Sequence, residues 1–230
     1  MKTIGILGGM SWESSAQYYA LINREVRARR GGIASAPLLL HSFDFEEIAA
    51  LQRAAEWDRL GNMLGEAASG LERAGAEVIL LATNTMHLVA PQVEERIACP
   101  LLHIADPLAA AFTAGGHDTL GLLATRFTME QPFYAERLRV SGVGVVVPEE
   151  SQRAELHRII FDELCAGIVR EDSRERVRAM IARLAARGAQ GIALACTEIM
   201  LLIEQEHSAL PLFDTTRLHA RAAVDFALSD

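Results

Sequence analysis

Short runs of apolar residues alternate along the chain with longer stretches whose apolar positions recur at helical spacing. Eight runs predict strands: IGILGG, PLLLHSF, VILLAT, LLHIA, LGLLAT, GVGVVVP, GIALAC and LPLFD. Because these runs are almost continuously apolar, we expect strands buried on both faces, as in a parallel sheet. Residues 14–29 carry Tyr18, Ile22 and Val26 four apart, which predicts an amphipathic helix. The alternation predicts an α/β fold.

Polar residues follow several of these strands. The stretches GGMSWES, TNTMH, ATRFT and CTEI all stand where a predicted strand ends. In open parallel sheets the ligand crevice lies outside the carboxyl ends of the strands, so we expect the functional groups at this edge. Two further helices, over residues 59–74 and 174–187, each end before a glycine, which is a common helix stop.

The chain contains an internal repeat. ILLATNTMHL, at residues 79–88, and IALACTEIML, at residues 192–201, share one pattern, and the spacing that maps Thr83 onto Cys196 also maps Gly75 onto Gly188. TIGILGG matches TLGLLAT, and more weakly CPLLHIAD matches LPLFDT, in the same order. Three ordered matches predict two pseudo-symmetric α/β domains, one formed by residues 1–108 plus 215–230 and the other by residues 109–214.

Composition excludes several classes. The 230 residues carry a net charge of −8, so we expect no nucleic-acid partner. Cys99, Cys165 and Cys196 lack CxxC spacing, which argues against a disulfide scaffold or zinc site and for a reducing, cytoplasmic compartment. No apolar run approaches the length of a membrane span, and the amino terminus is a poor signal peptide.

The remaining motifs argue against several kinds of site. GILGGM is neither GxGxxG nor followed by GK[ST], which disfavours a nucleotide site. Instead, Gly8 and Gly9 are predicted to let the backbone pass close to a small ligand, and Ser11 to cap the next helix. For His87 and His103, which stand near strand ends, a structural or surface role is favoured over metal ligation, since no HxH or HExxH pattern is present. The absence of GxSxG disfavours a serine hydrolase. Among the thiols, Cys99 and Cys165 are interpreted as packing residues.

Taken together, GILGGMSWES, ATNTMH and ACTEI make the chain resemble the aspartate/glutamate racemase family, with LHSFDFEEI, TMEQPFY and LPLFDT also in place. The resemblance covers essentially the whole length. It implies pyridoxal-independent racemisation with no cofactor and no metal, in an active site in the crevice between two pseudo-symmetric domains. It also implies a homodimer and a small amino-acid substrate.

The resemblance assigns roles residue by residue. Cys196 matches one catalytic cysteine of the family, and Thr83 stands where the other would be. The remaining residues implied to bind the substrate or wall its pocket are Met10, Gln52, Asn84, Thr85, Thr125, Thr197 and Glu198. A thiol titrates near enough to neutrality to serve as acid or base, whereas a threonine hydroxyl is a far poorer base. We therefore expect asymmetric catalysis on the two faces of the α-carbon.

These features predict a racemase that interconverts L- and D-aspartate or glutamate. Relatives that select aspartate often present a lysine to the distal carboxylate; here Arg53 or Arg126 would have to serve, and otherwise neutral or basic amino acids are expected substrates. Two alternatives remain open: a related cysteine-dependent isomerase or decarboxylase of small carboxylic acids, and a catalytically weak amino-acid binding protein.

Overall fold

All eight predicted strands are present in the computed structural model, which describes residues 1–229. The strands are Ile4–Gly8 (β1), Leu38–Ser42 (β2), Val78–Leu81 (β3), Leu101–Leu102 (β4), Thr119–Ala124 (β5), Gly144–Val146 (β6), Gly191–Ala195 (β7) and Leu212–Asp214 (β8). Their order along the chain follows the predicted alternation of strand and helix.

Ten α-helices are present in the described part of the chain: Trp12–Arg30 (α1), Phe45–Arg53 (α2), Trp57–Arg73 (α3), Ala90–Glu94 (α4), Ala105–Ala114 (α5), Arg126–Glu130 (α6), Pro132–Val140 (α7), Glu150–Arg158 (α8), Glu171–Ala186 (α9) and Thr215–Leu228 (α10). Short 3₁₀ helices span Thr85–Val89, Leu164–Ala166, Thr197–Leu201 and Gln205–His207, and a π-helix spans Ile159–Glu163. No helix within residues 1–229 is both long and apolar enough to cross a membrane.

The strands form two separate four-stranded sheets with the same topology. One has the order β2-β1-β3-β4 and the other β6-β5-β7-β8, and every pairing is parallel. The first sheet lies in the unit Met1–Ile104 with His219–Asp230, and the second lies in the unit Ala105–Leu218. This repeated topology confirms the predicted α/β class of two similar halves. The domain limits predicted after residues 108 and 214 stay a prediction.

The central strands of the first sheet are buried on both faces. Ile4 and Ile6 of β1 face a cluster formed with Tyr18 and Ile22 of α1 and with residues of α10, whereas Leu7 faces a second cluster formed with α2 and α3. This alternation is the period of two expected of a strand. It explains why the run is continuously apolar, since both faces are covered by helices.

The expectation of burial on both faces is wrong for the edge strands. Leu40 in β2 is 50% exposed, and His41 and Ser42 after it are exposed as well. β2 pairs only with β1, so one of its edges lacks a neighbouring strand within the described sheet. An apolar run by itself therefore does not distinguish a central strand from an edge strand.

Equivalent glycines pack equivalently in the two sheets. A Cβ added to Gly5 would lie 2.7 Å from Ile79 Cδ1, and one added to Gly121 would lie 2.6 Å from Ile192 Cδ1. These distances are shorter than carbon atoms tolerate, so a side chain at either position would require the facing isoleucine to move. The repeat found in the sequence thus corresponds to a repeat in the packing of the first and third strands of each sheet.

The predicted helix signals have mixed outcomes. The Ser11 side chain caps α1, and Gly75 and Gly188 after α3 and α9 adopt φ of +103° and +94°, as glycine stops do. Gly9 adopts φ of +81°, and a Cβ there would lie 2.2 Å from the Phe43 carbonyl oxygen. The close approach at Gly9 is therefore made by the protein's own backbone. The helical stretch that contains Cys165 forms a π-helix followed by a 3₁₀ helix.

Candidate functional site

In the first unit, the loop after β1 is held by serine hydroxyl groups. The Ser11 side chain accepts a hydrogen bond from the Ser14 N–H at 3.4 Å and so begins α1. Ser15 Oγ accepts from the Gly9 N–H at 2.8 Å and donates to the Ser11 carbonyl at 3.0 Å. Met10, a predicted pocket residue, lies buried in this loop. These bonds give the loop a defined path directly beyond the strand.

Thr83 immediately follows β3, where two backbone carbonyl groups are held by side chains. Ser14 Oγ donates to the Ala82 carbonyl at 3.0 Å, and His87 Nδ1 bonds the Thr83 carbonyl at 2.8 Å. Because a carbonyl oxygen only accepts, the proton of this bond is on His87 Nδ1. The Thr83 residue remains partly exposed while its backbone is fixed by α1 on one side and by the following turn on the other.

The other predicted residues of the first unit are also near this strand end. Asn84 precedes the 3₁₀ helix Thr85–Val89, and both Asn84 and Thr85 are buried. Gln52, from α2, directs its amide nitrogen to Met86 Sδ at 3.1 Å and thereby contacts the same 3₁₀ helix. The structure thus brings Gln52 to the TNTM stretch, a contact between residues far apart in the sequence.

In the second unit, a carboxylate lies against the thiol of Cys196. β7 leads through Cys196 into the 3₁₀ helix Thr197–Leu201, as β3 leads through Thr83 and Asn84 into its own. Cys196 Sγ donates to Glu198 Oε2 at 3.0 Å, and Thr197 Oγ1 donates to the same oxygen at 2.7 Å. Thr197 and Glu198 are buried, and Cys196 is partly exposed.

These surroundings keep the Cys196 thiol protonated. Burial raises the pKa of Cys196 well above its ordinary value, and the negative charge and the hydrogen bond of Glu198 raise it further. The group therefore stands as a hydrogen-bond donor to a carboxylate. It is in the form that delivers a proton, and it becomes a base only when its own proton has an acceptor.

The remaining predicted groups have defined places. Thr125 caps α6 through its side chain and is buried. Arg53 pairs with Glu46 at 3.2 Å and Arg126 with Glu130 at 3.8 Å, and the two arginine side chains are 63% and 50% exposed. Both guanidinium groups are thus engaged at the surface of their own units.

The other two thiols fit the packing interpretation to different degrees. Cys99 packs against the core of the first unit, and burial followed by the Glu72 carboxylate raises its pKa to about 11. Cys165 is partly exposed in the 3₁₀ helix Leu164–Ala166. Within residues 1–229, no group of three histidine, cysteine, aspartate or glutamate side chains is arranged to hold a metal ion.

Two side chains that organise the backbone at Thr83 have no functional signal in the sequence. The sequence pattern places Ser14 in a predicted helix and favours a structural or surface role for His87. Their hydrogen bonds to Ala82 and Thr83 join residues of different elements or of one tight turn. The only signal in the sequence was the serine-rich start of α1, in which Ser11, Ser14 and Ser15 cluster.

The burial of His87 should make folding stability depend on pH. Burial and the neighbouring rings of His103 and His219 lower the pKa of His87 well below 6.5. The unfolded chain then binds a proton that the folded chain does not, so this stability is fully present above pH 6.5 and is lost as pH falls toward the folded pKa. The expected slope is at most about 1.4 kcal/mol per pH unit for one proton.

Urea unfolding at several pH values between about 7.5 and about 5.5 measures the free energy of unfolding and so tests this dependence. His87→Asn should flatten the dependence, whereas substitution of the exposed His41 in the same way should leave it as in the wild type. A variant at His87 with an unaltered slope would contradict this origin of the dependence.

Residues 7–223 match the Asp/Glu/Hydantoin racemase family. This match and the fold together define a two-unit α/β isomerase of the racemase class. The chain belongs to the Asp/Glu/Hydantoin racemase family, since the match spans nearly its whole length.

Similar proteins agree with this membership. The chain is 48% identical to a proposed Asp/Glu racemase from Yersinia pestis, with a TM-score of 0.94 and coverage of 100% of both chains. It is 34% identical to an aspartate racemase homologue from Pyrococcus horikoshii, with a TM-score of 0.85 and again 100% of both chains covered. It is also 22% identical to the broad specificity amino-acid racemase RacX of Bacillus subtilis, over 98% of each chain.

Proposed function

We propose that this protein is a cofactor-independent amino-acid racemase that interconverts the L and D forms of aspartate and glutamate. Cys196 transfers the proton on one face of the α-carbon, and Thr83 serves the opposite face. The observation that carries this proposal is the hydrogen bond between Cys196 and Glu198 at the end of β7, at the repeat position of Thr83. Family membership supports the reaction class.

The hydrogen bond of the Cys196 thiol suggests how the sulfur becomes a base. In the resting site the thiol donates to Glu198 Oε2. We propose that the S–H proton passes to this carboxylate as the sulfur takes the α-proton, so that the net charge of the Cys196–Glu198 pair changes only when the carbanion forms. A positively charged substrate ammonium near the pair would favour the thiolate, because it offsets the charge of Glu198.

Proton transfer on the opposite face of the α-carbon requires a different mechanism. A hydroxyl group is a much weaker acid than a thiol, so Thr83 would relay a proton and replace its own from solvent in the same step. Asn84, Thr85 and Thr197 are proposed to bind the α-carboxylate and ammonium through their amide and hydroxyl groups. Stabilising the charge that develops on the carboxylate lowers the barrier to α-proton removal. Met10, Gln52 and Thr125 are proposed pocket walls.

Substrate range is the finer part of the proposal. Arg53 and Arg126 are each paired with a glutamate at an exposed surface of their own unit, where such ion pairs are weak. We propose a substrate range that includes neutral or basic amino acids beside aspartate and glutamate, and the broad specificity of the relative RacX supports it. A homodimer and a cytoplasmic location are further proposals, which light scattering and cell fractionation test.

Proton NMR in deuterated water tests the reaction. L- and D-aspartate and glutamate are incubated separately with the protein, and loss of the α-proton signal is followed together with optical purity. We expect exchange accompanied by inversion, because the proton removed is lost to solvent and deuterium is added to the other face. A panel of neutral and basic amino acids then measures the substrate range.

Other outcomes separate the alternatives. Exchange without any inversion would mean that Cys196 works while Thr83 fails to complete the second face. Absence of exchange with every amino acid would contradict the racemase. Release of carbon dioxide from a small dicarboxylic acid would then indicate the decarboxylase, and saturable binding without turnover would indicate the binding protein.

Glu198→Gln should lower kcat by about 10²-fold, because the S–H proton loses its carboxylate acceptor. Initial racemisation rates measured by polarimetry give this value. Glu206→Gln is the matched control, since Glu206 is an exposed carboxylate in the same unit, and its rate should equal that of the wild type. Unchanged kcat in Glu198→Gln would show that the thiol loses its proton by another route.

A further inference from the structure

Three buried histidines lie together behind the end of β3 in the first unit. His87, His103 and His219 are each less than a tenth exposed. The ring centroids of His87 and His103 are 4.4 Å apart, and those of His87 and His219 are 5.9 Å apart. Buried polar rings are normally retained only where their nitrogen atoms are satisfied, so the hydrogen bonds of each ring show what it holds in place.

The His87 ring joins the backbone of the turn that carries Thr83 to the backbone at Ile104. Its Nδ1–H donates to the Thr83 carbonyl at 2.8 Å, and its Nε2 accepts from the Ile104 N–H at 3.1 Å. One nitrogen must donate and the other must accept, which is the pattern of a neutral ring in a single tautomer. Both bonds are lost if the ring turns over, so the orientation of His87 is fixed from both sides.

His219 has the same burial and a similar bonding pattern but holds other residues. Its Nε2 donates to the Leu102 carbonyl at 2.8 Å, and its Nδ1 accepts from the Tyr18 hydroxyl at 2.8 Å. This ring therefore joins α10 to β4 and α1. It contributes to the core of the first unit through its bonds to Leu102 and Tyr18, which makes it a matched reference for His87.

Thr83 depends on the precision of its backbone. Its side chain has one rotatable bond between Cα and the hydroxyl oxygen, so the direction of the hydroxyl follows the peptide planes around Thr83 closely. The carbonyl of Ala82 is fixed by Ser14, and that of Thr83 by His87. A small displacement of a group that transfers a proton costs rate steeply, since the reacting atoms must be within contact distance and aligned.

We propose that His87 is a positioning residue for Thr83, which it orients through the Thr83 carbonyl, and that it thereby determines proton delivery to the Thr83 face alone. This inference rests on the proposed racemase function. A positioning role can be distinguished from a general contribution of His87 to core stability. Proton transfer by Cys196, in the other unit, does not use the hydrogen bonds of His87, so only delivery to the Thr83 face should change.

The test compares inversion with α-proton exchange in deuterated water for the enantiomer that exchanges faster in the wild type. His87→Leu should lower the ratio of inversion to exchange at least about tenfold, because delivery to the second face fails while removal and return by Cys196 continue. His219→Leu removes two buried hydrogen bonds from the same cluster and should leave the ratio unchanged. His87→Asn, whose amide N–H replaces Nδ1–H, should restore most of it.

The ratio is independent of the folded fraction, so loss of stability alone does not move it. If His87→Leu fails to fold, His87→Gln takes its place, since its longer amide does not reproduce the Nδ1 donor, and its ratio should fall below that of His87→Asn. An unchanged ratio at His87, or an equal fall in His219→Leu, would overturn the inference while leaving the racemase intact. Absence of both exchange and inversion in the wild type would overturn the proposed function itself.

Discussion

Replacing Cys196 by serine is expected to lower racemisation by about 10³-fold, within the usual range for loss of a general acid or base. Serine keeps the size and the hydrogen-bonding capacity of the side chain, so its contact with Glu198 is retained. What is lost is acidity, because a hydroxyl near Glu198 does not form an anion that can remove an α-proton at neutral pH. Both exchange and inversion should fall by about this factor.

Cys99→Ser is the control for the same chemical change. Cys99 packs in the first unit, and its raised pKa leaves it as an inert thiol at neutral pH. Its racemisation rate should equal that of the wild type when both are normalised to folded protein. If Cys196→Ser still turned over both enantiomers at the wild-type rate, the assignment of the proton-transferring group would be wrong.

Thr83→Ala is expected to lower inversion by about 10²-fold while exchange persists for one enantiomer. In this variant Cys196 still removes the α-proton and returns deuterium to the same face, but no group remains to serve the other. The kcat/KM values for the two directions cannot reveal the asymmetry, because enantiomers have equal free energy and the values must match. The ratio of exchange to inversion does reveal it.

Two variants at the same position control for the hydroxyl. Thr83→Ser keeps the hydroxyl and should retain most of the inversion, and Thr83→Cys supplies a stronger acid and should raise the ratio of inversion to exchange. NMR and optical purity on the same samples give both quantities. Parallel loss of exchange and inversion in Thr83→Ala would indicate that Thr83 is needed for substrate binding on both faces.

Much of the fold follows from local patterns in the sequence. The eight apolar runs specify eight strands, since each has the length and composition of a buried strand. The repeat predicts two sheets of like topology, and Ser11, Gly75 and Gly188 mark helix limits that the backbone dihedral angles require. The same repeat also predicts that Thr83 and Cys196 occupy equivalent positions, because polar residues follow a buried strand at each.

Other properties depend on residues that are distant in the sequence. Whether a strand is central or at an edge is decided by its partners, so the exposure of β2 does not follow from its apolar run. The pKa of Cys196 depends on burial beside Glu198, and burial is a property of the packed unit. The contact of Gln52 with Met86 likewise requires α2 to lie beside the turn after β3.

The sequence by itself determined the α/β class, the doubling of the sheet and the two strand ends that carry Thr83 and Cys196. Hydrophobic periodicity and the polar residues that follow each strand are local features, so they can be read without knowing the tertiary structure. The tertiary structure decided which side chains hold those ends. Ser14 is bonded to Ala82 across two elements, and His87 spans Thr83 and Ile104. Such bonds form only when separate parts of the chain are packed together, since the geometry of a hydrogen bond depends on distances that local propensity does not set.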